Sequence, residues 1–378
     1  MRPINVALLD LHKEYACCKA GIDRGIKNCL KTQQWILGEP VKAFEQKAAA
    51  YLSTKHAVAV ASGTDALTLS LRALALQRFN SEFFQPYQEI ITTPFTFAAT
   101  AEAIILAGAK PVFADIDQRS LNLDPAAVSR AVTENTVGII PVHLFGLPAD
   151  LTGLTRIAKK HGLFMVEDTA QAFGSKFNGK YCGTLADCGA FSFFPSKNLG
   201  AFGDAGMITT QDNGLADILL MLRNHGQKQA YNSGCVGYNS RLDSIQAAVL
   251  LEKIKNIKRL IERRVKIAGL YRKGLATLKQ LSLPLADKGH TYNLFTIRTA
   301  PAIRGQLLEW LNQNNIQARV YYPLLLHKMA AFKKYGGQAL VNAEKASISV
   351  LSLPCHPFLT SSQTNHVINT IRGFFKKD

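Results

Sequence analysis

Leu163-Phe-Met-Val-Glu-Asp-Thr-Ala-Gln-Ala-Phe-Gly174 and Gly189-Ala-Phe-Ser-Phe-Phe-Pro-Ser-Lys-Asn-Leu-Gly200 decide how this chain is read. The apolar runs 163–166 and 190–194 have the length of buried parallel strands. Asp168 stands at the exit of the first and Lys197 just beyond the second. Open α/β sheets gather their chemistry at the carboxyl ends of strands, so the spacing predicts that an acid and a lysine meet there. A lysine amine condenses with an aldehyde, and a carboxylate beside a pyridine nitrogen keeps that nitrogen protonated. A carbonyl cofactor is therefore the natural third party. Alone, such an Asp is ordinarily a helix cap and such a Lys ordinarily solvated. The pairing gives them weight.

Outward from this pair, strands and helices alternate between residues 56 and 167, the pattern of a parallel sheet wrapped on both faces. His56–Ala61, Glu89–Thr93, Lys110–Ala114 and Gly138–Val142 read as strands. The run Ala61-Ser-Gly-Thr-Asp-Ala-Leu67 turns from a strand into a helix carrying Leu67, Leu69, Leu71 and Leu74. The unpaired N–H groups at such a helix start make a phosphate seat, although a plain Ser or Thr cap looks the same. Phe95 and Phe97, after the second strand, offer flat surfaces for a ring, or are core. His143 ends a strand, where a lone histidine is more often structural. From Ser240 to about Leu275 the apolar spacing predicts one long helix. Tyr292–Arg298 and Gln317–Tyr322 are expected strands, and 304–314 and 361–375 helices, of a smaller α/β domain. The division falls near residue 250, giving a large domain over 1–250, with an arm at 1–15, and a small one over 251–378.

Bulk properties bound the function. The chain has 378 residues, enough for a large core and a second domain. No apolar run approaches a membrane span, and the N-terminus lacks the apolar core of a signal peptide, so a cytoplasmic protein is expected. The seven cysteines form no Cys-x-x-Cys pair, which argues against zinc ribbons and redox motifs; no metal site is expected. The net charge of +17 comes from scattered residues, with the densest cluster on the helix at 253–266. That suits a solvated helix face or an anionic substrate better than nucleic acid. Gly174-x-x-x-x-Gly179-Lys180 imitates a phosphate-binding loop but continues into Tyr181, and Gly200, Gly203 and Gly206 precede a strand instead of following one.

Glu167-Asp-Thr-Ala-Gln-Ala172 and Phe191-Ser-Phe-Phe-Pro-Ser-Lys-Asn-Leu-Gly200 resemble the sugar aminotransferases of the DegT/DnrJ type. The likeness runs from Trp35-Ile-Leu-Gly-Glu to Leu351-Ser-Leu-Pro-Cys355. It implies the type I pyridoxal-phosphate transferase fold, an α/β large domain with a mostly parallel seven-stranded sheet between helices and a smaller C-terminal α/β domain. It also implies the cofactor pyridoxal 5'-phosphate. By resemblance Lys197 carries the cofactor as a Schiff base and shuttles the proton. Asp168 pairs with the ring nitrogen, Gln171, one helical turn on, reaches the ring hydroxyl, and Phe97 stacks on the ring. Gly63, Thr64, Asp65 and Ser192 bind the phosphate. Asn239, in Gly237-Tyr-Asn-Ser-Arg-Leu-Asp243, reaches the phosphate of a partner subunit, which implies a homodimer with shared sites. His143, Arg241, Tyr322 and His327 are substrate candidates. The segment Val320-Tyr-Tyr-Pro-Leu-Leu-Leu-His327 departs from the family pattern at Tyr321 and Leu325, and residues 77–88 replace a tight turn with a longer aromatic loop.

The implied reaction passes the amine of L-glutamate to a nucleotide-diphosphate-linked keto sugar, such as a dTDP-sugar, and releases 2-oxoglutarate. It would serve lipopolysaccharide or other glycan biosynthesis. The Gly237–Asp243 wording is closer to members that aminate C3 than C4. A sugar dehydratase of the same fold carries His where Lys197 stands, and a non-enzymatic regulatory homologue would be expected to lose Lys197, Asp168 or Gln171.

Overall fold

A computed structural model describes residues 4–376. The first segment is helical, with α1 (Leu11–Ala16) inside the expected arm, α2 (Lys19–Thr32) and α3 (Glu39–Leu52). Then β1 (His56–Val60), α4 (Gly63–Phe79), β2 (Glu89–Thr92), α5 (Ala99–Leu106), β3 (Lys110–Phe113), α6 (Pro125–Ala131), β4 (Thr136–Ile139), α7 (Leu151–His161) and β5 (Phe164–Asp168) alternate. β6 (Cys188–Ser192), β7 (Gly206–Thr210) and α8 (Asn213–Leu222) follow. The starts are set locally: Ser62 caps α4 by accepting from Asp65 N–H, and Asp124 and Asp150 cap α6 and α7.

These seven strands make one sheet in the order β1-β7-β6-β5-β4-β2-β3. Its inner pairs are parallel, and only β7 runs against its neighbours β1 and β6. The expected mostly parallel seven-stranded sheet is thus present. Central strands are apolar along their length because both faces are covered. Leu67, Leu71 and Leu74 of α4 and Leu215 and Leu219 of α8 pack on one apolar core with Val58, Val166 and Ile208. Val41, Phe44 and Ala48 of α3 join Phe191 and Met207 in another. Of the expected loop at 77–88, residues 77–79 continue α4 and the rest covers the sheet end, with Phe84 buried against Phe164.

Two expectations in the C-terminal part need correction. The helix expected from Ser240 to Leu275 is two, α9 (Ser244–Lys253) and α10 (Ile257–Leu275), joined by a 3-10 turn at Ile254–Asn256. The tighter turn leaves both Ile254 and Ile257 buried, so the apolar spacing passes through it unbroken. The second correction concerns Gln317–Tyr322, which is extended but is not a ladder strand. Arg319 makes one isolated bridge to Ser352. The partner of β8 (Phe295–Arg298) is β9 (Val350–Leu353), antiparallel and wholly buried. β9 follows α12 (Val341–Ser349), and α11 (Pro301–Gln313) and α13 (Ser361–Phe374) cover the pair. Ile257 and Ile261 of α10 pack with the large sheet's core, and Ile267, Tyr271 and Leu275 with this second core.

Candidate active site

The carboxyl ends of β1, β2, β5 and β6 deliver Ser62-Gly63-Thr64, Phe97, Asp168 and Ser192 to a single cavity of about 480 Å3. Gln171, Lys197 and Tyr322 complete its wall. Asp168, the last residue of β5, and Lys197, in the loop after β6, share this wall as their positions predict.

Asp168 ends β5 fully enclosed, 4% exposed. Its Oδ2 accepts from the Thr100 hydroxyl at 2.8 Å and its Oδ1 from Ala170 N–H at 3.1 Å. Burial raises its pKa above the ordinary carboxylate value, against the pull of these donors and of Lys197. Burial also lowers the Lys197 pKa, with the Asp168 charge opposing it. The shift favours the neutral amine, the form that attacks an aldehyde.

Gln171 follows Asp168 in a turn, not a helix, which corrects the expected spacing. Its Oε1 accepts from Phe145 N–H at 2.9 Å, and its Nε2 donates to the Tyr322 hydroxyl at 2.9 Å. That bond ties the large sheet to the segment expected to line the substrate side. Burial pushes the Tyr322 phenol's pKa up, so the hydroxyl keeps its proton.

At the start of α4, Ser62 takes the Asp65 N–H through its side chain and the Ala66 N–H through its carbonyl. The N–H groups of Gly63 and Thr64 have no acceptor within the helix. A Cβ on Gly63 would stand 2.6 Å from the Ser192 Cβ, so glycine keeps the cradle between them open. Two N–H groups, the Ser192 hydroxyl and the positive end of a 17-residue helix make an anion seat. Phe97 is 59% exposed on the cavity wall, whereas Phe95 is core. These groups fit a phosphorylated pyridine aldehyde at each of its functional points: an acid, an amide, a ring-sized flat face, an anion seat and an amine whose pKa burial lowers.

Other candidates lie elsewhere. Asp65 points away from the cavity and accepts from the Ser240 hydroxyl at 2.7 Å. His143, a substrate candidate, has no exposure: Nδ1 accepts from Ala149 N–H at 3.0 Å, so Nε2 carries the proton and donates to Glu167 at 2.9 Å. Cys182 lies close enough to this pair to form a three-ligand group, but Glu167 already accepts from the Gly183, Leu185 and Ala186 N–H groups. His327, another substrate candidate, is buried off the cavity beside Phe113 and 3.8 Å from Glu344. Arg241 donates to Asn224 at 3.0 Å, and Asn239 is exposed away from its own chain's cavity. Thr100 was missed from sequence. Its signal was the threonine pair that flanks Phe97, Thr96 before it and Thr100 in the first turn of α5, whose hydroxyls lie 3.4 Å apart.

The family model described as the DegT/DnrJ/EryC1/StrS aminotransferase family matches residues 17–372. A Geobacillus stearothermophilus protein named a pleiotropic regulatory protein is 43% identical, over 99% of each chain. The UDP-N-acetyl-3-dehydro-alpha-D-glucosamine 3-aminotransferase of Acidithiobacillus ferrooxidans is 40% identical over 97% of each. Among solved structures, S. venezuelae DesV in complex with a ketimine intermediate is 38% identical, covers 98% of each chain and superposes with a TM-score of 0.93.

Proposed function

The chain belongs to this aminotransferase family, and on that premise we propose that it moves the amine of L-glutamate onto C3 of a nucleotide-diphosphate-linked keto sugar, using pyridoxal 5'-phosphate and releasing 2-oxoglutarate. The observation that carries the reading is the shared cavity wall of Lys197, Asp168 and Gln171, with an anion seat at Gly63, Thr64 and Ser192. When bound, the cofactor supplies an aldehyde that takes up amines and a ring that accepts electrons from the carbon bearing the amine. Asp168 would hold the ring nitrogen in its charged form, and Gln171 would position the ring hydroxyl. Phe97 would cover one face, and Gly63, Thr64 and Ser192 would bind the phosphate. The Lys197 amine would hold the cofactor's aldehyde and, when free, would serve as the base that moves the proton of the donor's α-carbon. Its burial excludes water that would compete for that proton.

Support for C3 comes from the A. ferrooxidans relative's name. The regulatory name of the G. stearothermophilus relative favours a second reading, a non-enzymatic one. Retention of Lys197, Asp168 and Gln171 on one buried wall argues for catalysis. The exposed Asn239 and the hairpin pairing Gln227–Gln229 with Asn232–Ser233 suit a homodimer in which Asn239 completes the other subunit's phosphate seat. Among the described residues no helix is long and apolar enough to cross a membrane, and we assign the protein to the cytoplasm. We divide it near residue 250, with α10 linking the two cores. The test is a panel of UDP- and dTDP-linked 3-keto and 4-keto sugars with glutamate. Amination at C3 by the wild type and none by Lys197→Ala is expected; turnover of 4-keto sugars alone would move the reaction to C4.

A further inference from the structure

Behind the Lys197 loop lies a second, smaller cavity. Its walls include Asp10, Glu14, Lys197, Asn198, Arg264 and His356. It shares Ser196 and Lys197 with the large cavity, so the two adjoin at the loop carrying the amine. Its volume is about 10 Å3, room for one water-sized group such as a single carboxylate oxygen.

Its polar groups are out of balance. Asn198 is only 6% exposed, and neither its Oδ1 nor its Nδ2 has a hydrogen-bond partner among the described residues. An amide seldom goes unpaired in a protein interior without something to bind. Arg264, 5% exposed, donates through Nη1 to the carbonyls of Cys355 at 3.0 Å and Asn293 at 3.5 Å. Among the described residues it forms no ion pair with a carboxylate. Buried charges are ordinarily paired, and leaving a guanidinium against neutral carbonyls is costly. The neighbouring acids are already engaged: Asp10 lies 3.1 Å from Lys13, and Glu14 lies 3.0 Å from Lys253. His356 adds no charge, because burial pushes its pKa down to about 4. One cation and one unsatisfied amide are therefore left beside the reacting lysine.

We propose that Asn198 and Arg264 form the carboxylate site of the amino-acid donor, with a carboxylate oxygen entering the small cavity while the donor's amine lies on the Lys197 side. The proposal deepens the transamination reading and rests on it. A carboxylate supplies a counter-charge to the Arg264 guanidinium and an acceptor to Asn198 Nδ2. It also explains why the pair stands at the lysine loop: an α-carboxylate is two bonds from the amine to be transferred. The keto sugar carries no such group, so the site would discriminate between the two substrates.

The test uses the cofactor-loaded protein. Arg264→Met and Arg264→Lys are followed by the visible absorbance change on adding L-glutamate, and glutarate, a dicarboxylate without an amine, is titrated calorimetrically. Arg264→Met is expected to raise half-saturating glutamate by about thirtyfold or more, as for a lost charge-assisted hydrogen bond. Arg264→Lys should recover part of that loss. Glutarate should bind the wild type and not Arg264→Met, while the resting cofactor band stays the same. A folded Arg264→Met with wild-type half-saturation and wild-type glutarate binding would overturn the site and leave Arg264 as a clasp between α10 and the 354–356 segment. Should that variant not fold, Asn198→Asp sets a negative charge in the cavity and must abolish glutarate binding; unchanged binding overturns the proposal. A wild type that holds cofactor and binds glutarate but ignores glutamate would refute the donor and not the carboxylate site. Glutarate that does not bind the wild type would refute the site.

Discussion

Asp168 and Lys197 are set against each other by burial. The Asp168 carboxyl is held above its ordinary pKa of 3.8, so without cofactor it costs the folded state stability as pH rises. Below 3.8 both states are protonated and the cost vanishes; it grows from there up to the raised folded value, and persists above it. Asp168→Asn should therefore raise the melting temperature of the cofactor-free protein at neutral pH, with the gain shrinking as pH falls towards 4. The same variant should lower turnover by about a thousandfold, since no charged partner remains for the ring nitrogen. Equal melting temperatures at pH 7 and pH 4 would show that Asp168 is not strained by burial. The donors on Asp168 illustrate what a sequence withholds. Asp168 itself was legible from its place at a strand exit, but Thr100 lies 68 positions away and becomes its partner only when β2 and β5 bring their ends together.

At the scale of elements, β5 uses both of its faces. Glu167 and Asp168 are adjacent, so their side chains point to opposite sides of the sheet. Asp168 meets the cavity and Glu167 turns inward, without exposure. The Glu167 Oε1 accepts from Leu185 and Ala186 N–H at 2.7 and 3.0 Å, and its Oε2 from Gly183 N–H and His143 Nε2 at 2.7 and 2.9 Å. Its carboxylate thus staples the 183–186 turn to the strand that holds Asp168. Glu167→Gln turns an amide N–H2 towards donors and should cost about 3 kcal/mol in urea unfolding. A loss below about 0.5 kcal/mol, within the range of ordinary surface substitutions, would show that the staple is dispensable. The sheet's strands were legible because each is a short apolar run between turn signals. The two misread elements had weaker signals. Gln317–Tyr322 alternates enough to look like a strand, yet β9, with its all-buried Val350–Leu353, takes the pairing position beside β8. His143 and His327 looked available only because burial cannot be read from a lone histidine.

At the scale of the whole molecule, the proposed homodimer would make the cavity half of a larger arrangement. Its wall holds one cationic side chain, Lys197, while the proposed cofactor and sugar substrate both bring phosphates. The +17 net charge lies elsewhere on the chain. The neutral Asn239 is exposed, and Tyr231 at the tip of the nearby hairpin is 99% exposed. In a homodimer with shared sites, Lys197→Ala and Asn239→Glu each disable a different half. Hybrids of the two variants should regain about half of the wild-type sites, because one site per hybrid keeps both residues. No recovery would place Lys197 and Asn239 at sites that do not meet.

The central claim is that Lys197 holds a cofactor which takes an amine from glutamate. Its most direct measurement is the visible absorption spectrum of the purified protein with pyridoxal phosphate, before and after excess L-glutamate, in the wild type and in Lys197→Ala. The account predicts a long-wavelength band in the wild type that gives way to the shorter-wavelength band of the aminated cofactor, and no such protein-linked band in the variant. A wild type that binds no cofactor, or a variant that shows the same band and the same response, would contradict it.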